Sequence, residues 1–169
     1  DIVLIGDFNP HIFQPQWFVT QKLLGDKEGE SAKIEIIHSD IAIFNLDWLR
    51  LEVTHNRLVA TTKDDFHHEI LRDLIVSTFT VLSHTPLQMM GINTTFDYLL
   101  PNEEIWHGIG HQLAPKDIWN KVMDAPGLHL LTIESKSNVK DTYRNIIKVS
   151  VSPTNIKLGL RIHINDHYE

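Results

Sequence analysis

A chain of 169 residues, 42% hydrophobic and 22% charged, has the composition of a globular protein and the length for one sizeable core, or for two half-domains sharing one. Fifteen Lys and Arg against 22 Asp and Glu leave a formal charge of -7, which repels phosphate backbones and disfavours a nucleic-acid partner. The absence of cysteine excludes disulfides, thiolate catalysis and thiolate metal ligation, and no apolar run approaches the roughly 20 residues of a membrane span, so a soluble, cytoplasmic protein with no membrane partner is expected.

In chain order, residues 2–5 form an apolar strand, and Pro15 takes the first position of a helix running to Leu24. Residues 24–31, dense in Gly, Asp, Lys and Glu, read as a polar surface loop. Residues 33–38 and 41–46 are short β-prone runs joined by Ser39-Asp40. Leu49, Leu51 and Val53 then alternate with Arg50, Glu52 and Thr54 before a His55-Asn56 turn and a strand around 58–60. Phe66, Ile70, Leu71, Leu74, Ile75, Phe79 and Leu82 fall on one helical stripe, with Thr62 and Asp65 as its capping start.

After Pro86, residues 87–92 read as a strand, and Pro115 starts a helix carrying Ile118, Trp119 and Val122. Residues 128–134 follow the Pro126-Gly127 turn as a strand, and 135–138 form a loop. Ile147, Val149 and Val151 alternate with polar residues, as do Ile156, Leu158, Leu160, Ile162 and Ile164, with Pro153-Thr154-Asn155 as the hairpin connection between the two runs.

The order of strand, Pro-started helix and alternating strands occurs twice, in 1–85 with a closing helix and in 86–169 without one. It predicts an α+β fold: a duplicated β-α-β(3-4)-α unit forming a curved antiparallel sheet with helices on one face, in one compact domain. That element order is similar to the two-repeat saddle of TATA-box-binding proteins, in which each repeat is a strand, a helix, four strands and a helix. The chain departs from that family's basic, aromatic-studded concave face, so the resemblance implies a fold and carries over no DNA-binding residue.

Candidate chemistry is sparse. Glu104, His107 and His111 project from one face at i, i+3 and i+7 if residues 103–111 are helical, a spacing suited to a divalent metal. Gly108 and Gly110 weigh against that helix, and no Glu follows the first His as a zincin base would. His163 and His167, near Asn165 and Asp166, are further metal candidates, whereas the adjacent His67 and His68 read as solvated. Asp7 and His11 at a strand exit are candidates for an acid and base pair.

Lys148, Lys157 and Arg161, with Lys136, Lys140 and Arg144, form the clearest cationic cluster, and strand alternation can gather some of them on one face as nucleic-acid contacts. No phosphate loop, Gly-x-Gly-x-x-Gly turn or nucleophile elbow occurs. The leading expectation is therefore a non-enzymatic binding or assembly module whose partner is another protein or its own copy, with no cofactor. A small metal-dependent hydrolase built on the Glu-x-x-His-x-x-x-His cluster is the alternative, and nucleic-acid binding through the basic C-terminal strands is the third reading.

Overall fold

A computed structural model describes residues 1–136 and 145–169. Nine strands and four α-helices among them make an α+β protein with antiparallel strand pairing. The chain divides into two compact units, Asp1–Ile92 with Tyr168–Glu169, and Asn93–His167. The division falls within a strand rather than at Pro86, because the strand that opens after Pro86 runs on past Ile92 to Leu99.

The first unit contains β1 (Ile2–Gly6), β2 (Lys33–Ile37), β3 (Ile41–Asn45), β4 (Arg50–Thr54), β5 (Arg57–Thr61) and the opening of β6 (Leu87–Leu99), hydrogen-bonded in the order β2-β3-β4-β5-β1-β6. Period-two alternation decides which face is dry. Leu4 pairs with Leu58, Leu51 with Ala60, and Phe44 with Leu51, and all of these are buried. Helices α1 (Pro15–Thr20) and α3 (His68–Val81) cover that face, Phe18 coming from α1 and Leu71, Leu74 and Ile75 from α3. Thr78 is the buried polar residue of the stripe, and its hydroxyl donates to Leu74 O at 2.7 Å, so its burial leaves no orphan donor.

Two expectations for this unit need correction. Residues 24–31 are not a loop throughout: Asp26–Ser31 form helix α2, because the Glu28 carboxylate reaches back to accept the Gly25 N–H at 3.0 Å and satisfies a free donor of the first turn. The α3 stripe is narrower than its spacing suggested. Phe66 is 90% exposed because residues 65–67 form a separate 3-10 turn, capped by Asp64, ahead of the helix, and Ile70, 49% exposed, lies at the margin of the face that Leu71, Leu74, Ile75 and Thr78 bury.

The second unit contains the rest of β6, helix α4 (Glu103–Leu113), β7 (Leu131–Lys136), β8 (Asn145–Pro153) and β9 (Gly159–Tyr168), with strand order β6-β9-β8-β7. The helix expected after Pro115 is absent, and residues 117–122 form successive turns, with Trp119 N donating to Lys116 O and Met123 N to Trp119 O. The apolar side chains meant to hold that helix, Ile118, Trp119 and Val122, are all exposed, and so short a helix without a packed face is marginal in water.

Strand β9 begins at Gly159, three residues later than the alternation implied. Leu158 has φ 63° and Ile156 is 69% exposed, so both belong to the turn. Ser135 and Lys136 belong to β7 rather than to a loop; residues 137 and 138 of that expected loop, and Lys140 and Arg144 beyond it, lie outside the described residues.

Candidate functional site

Helix α4 forms despite its two glycines because both ends are held. Asn102 accepts the Ile105 N–H at 2.9 Å, Glu103 and Glu104 complement the positive end of the dipole, and His111 stands in the last turn. The indole N–H of Trp106 donates to Gly159 O at 3.1 Å, tying the helix to the start of β9. Between α4, the 125–128 turn and the strands lies a half-open cavity of about 360 Å³. Trp106, Leu128, Leu160 and Pro153 contribute its apolar wall. His107 and His111, one helical turn apart, line it together with Lys116, whose ammonium donates to Gly110 O at 3.3 Å.

The structure thus brings two of the three expected metal ligands to one cavity and leaves Glu104 off its wall. Among the described residues, no group of three or more His, Asp or Glu is arranged to hold a metal ion. His163 is committed elsewhere, its Nδ1 3.0 Å from the Thr95 hydroxyl across the strands. Asn165 donates to Asn93 Oδ1 at 2.7 Å, and Arg161 grips Asp97 through two bonds of 2.7 Å. The three couples step by two residues in opposite senses along β6 and β9, the signature of antiparallel neighbours sharing one polar face. His167, two residues beyond Asn165, also lies within β9.

Among the described side chains, the cationic candidates Lys148, Lys157 and Arg161 are each paired with a carboxylate. Lys148 pairs with Glu134 at 3.3 Å, Lys157 with Glu103 at 2.8 Å, and Arg161 with Asp97. The Arg161 hydrogen bonds hold the Asp97 carboxyl below its ordinary pKa, and the Lys157 ammonium does the same for Glu103. In the first unit, Asp7 and His11 share no hydrogen bond or ion pair. Asp7 sits in a surface cleft with Asn9 and His84, while the His11 backbone N–H donates to Asn9 Oδ1.

His67 is not solvated as expected. Its ring stacks on Trp48 at 5.5 Å and 13°, with Nδ1 3.1 Å from Asp64 Oδ2 but off hydrogen-bonding geometry. Trp48 in turn donates to Glu28 at 3.1 Å. A second His cluster went unseen in the sequence: Asp40 accepts from His55 Nε2 at 3.2 Å and lies 3.4 Å from His38 Nδ1. The His55 bond is the main reason the Asp40 carboxyl is held below its ordinary pKa. Two turns far apart in sequence supply these residues, so no local spacing announced them.

The most unusual property of the second unit is what it does not bury. The buried apolar cluster, from Ile2 to Ile75, lies wholly in the first unit. Among the described residues of 93–167 no large apolar side chain is buried, and Leu99, Ile118, Val122, Leu130, Ile133 and Ile156 are each more than half exposed. No described helix is long and apolar enough to cross a membrane. Compared with protein-family models, curated proteins and solved structures, the chain finds no match. What can be concluded about its function therefore comes from its own geometry.

Proposed function

We propose that this protein is a non-enzymatic assembly module whose second unit completes its core against a second copy of the chain. One observation carries the reading: residues 93–167 fold into three strands and a helix beside β6, yet none of their described large apolar side chains is buried and several are more than half exposed. Isolated apolar residues on a surface are ordinary, but a unit whose described residues bury no large apolar side chain lacks much of the term that offsets conformational entropy. A partner surface supplies it.

Charge favours a second copy as that partner. Residues 93–167 contain eight Lys and Arg and eight Asp and Glu, so the formal charge of -7 resides entirely in the rest of the chain. A neutral surface of mixed sign does not repel its own copy, whereas the acidic first unit does. Strand β7 ends the strand order and exposes Ile133, giving the association an edge to use. The strand order also supports a diverged duplication: β1 is bonded to β5, the last strand of its own series, and β6 neighbours β9, the last of its own, as two copies of one scaffold would be.

Sedimentation equilibrium over a wide concentration range tests the proposal. The expected result is a dimer that dissociates on dilution, and that dissociates at higher concentrations when Ile133→Asp is introduced. A strict monomer at every concentration overturns it.

A further inference from the structure

The cavity beneath α4 is built within one chain and stands apart from the assembly reading. Its volume of about 360 Å³ falls within the size range of small-molecule sites. The wall chemistry is one-sided. His107, His111 and Lys116 supply nitrogen donors, and among the described residues no Asp or Glu lines the space. That is exceptional in a chain with more acidic than basic residues, and in a unit where Lys148, Lys157 and Arg161 each have a carboxylate partner.

Lys116 differs from those three. Its side chain is half-buried, it makes no ion pair among the described residues, and its hydrogen bond goes to a neutral carbonyl. Closing the C-terminus of α4 explains that one bond, since a cation there complements the dipole. An ammonium has three donors, so the cap leaves two available. The apolar wall is fixed in place as well: Trp106 is tethered through its indole N–H to Gly159 O and is not free to rotate into the space. An apolar slot with a cationic rim and no acid matches one kind of occupant.

We infer that this cavity binds a small organic carboxylate with a flat apolar body. The carboxylate takes the free donors of Lys116 with His111 beside it, and the body lies against Trp106, Leu128 and Leu160. A neutral molecule of the same shape gains the apolar contacts but leaves the ammonium unanswered. The inference requires nothing of the oligomeric state, so it stands or falls separately from assembly.

Isothermal titration on the wild-type chain decides it, with indole-3-acetate and phenylacetate as probes, tryptophol and phenylacetamide as neutral counterparts, and acetate as the head group alone. Both acids should bind at one site per chain, at least about tenfold more tightly than the neutral molecules, the margin of one charge-assisted hydrogen bond, and acetate should bind weakly. Lys116→Met should abolish the preference for acid while keeping the neutral affinity, and Lys116→Arg should retain it. Absence of binding by both acids, equal binding of acid and alcohol, or a preference surviving in Lys116→Met each overturns the inference. If Lys116→Met fails to fold, the acid-to-alcohol comparison on the wild type is sufficient alone.

Discussion

Single residues in this protein report most clearly through their charge partners and through space that admits no extra atom. Asp97 is held below its ordinary pKa chiefly by its two hydrogen bonds from Arg161. A carboxylate whose pKa is lower folded than unfolded contributes stability that is present above about pH 4 and lost as the pH falls through its folded pKa. Asp97→Asn should therefore lower the urea midpoint at neutral pH, and the gap to wild type should close on acidification. A gap of constant size would assign the loss to packing instead. Gly159 poses the steric case: a Cβ there would meet the Thr154 hydroxyl and lie 2.9 Å from Ile156 O, inside a turn closed by Gly159 N donating to Ile156 O and Thr154 N to Gly159 O. Because a backbone oxygen in that turn cannot swing away, Gly159→Ala should cost about 1–3 kcal/mol, measured by chemical denaturation.

Elements were legible in the sequence where burial on one face imposed a period. Strand β4 follows from an alternation that the structure keeps, with Leu51 and Val53 on the dry side and Arg50 and Glu52 on the other, and its neighbour β3 turns Ala42 and Phe44 to the same dry side. Legibility failed where a terminus or turn decided the rotation. Phe66 has the spacing of a core residue in α3, yet the 3-10 turn ahead of the helix points it to solvent; Leu158 has the parity of β9, yet a positive φ removes it from the strand. Lys116 was hidden inside a helix that does not form, and only the cavity reveals its neighbours. This difference makes a paired prediction for α3. Leu74→Ala, deleting a buried side chain, should cost about 2–5 kcal/mol, whereas Phe66→Ala should change stability by less than about 0.5 kcal/mol. Comparable losses from both would restore the wider stripe that the sequence suggested.

For the whole molecule, the consequence is an uneven distribution of stability. Local opening free energies follow buried apolar contacts, and these are concentrated in the first unit, around Phe13, Phe18, Phe44, Leu51 and Leu58. Amide hydrogen exchange should therefore find its slowest positions in β3, β4, β5 and α3 at any protein concentration. The second unit should behave differently. Its ladder between β7 and β8 is fully registered, from Leu131 opposite Val151 to Lys136 opposite Ile146, but hydrogen bonds without a dry face open easily in water. A second copy that binds only the closed form adds protection that grows with the logarithm of free protein concentration once association is substantial. Exchange in β7 and β8 should accordingly slow as the protein is concentrated and quicken on dilution, while β3 to β5 stay constant. Ile133→Asp, placed on exposed β7, should remove the concentration dependence and leave the first unit's rates alone. If β7 and β8 are as protected in dilute protein as in concentrated protein, the second unit is stable without a partner, and its exposed apolar side chains need another explanation.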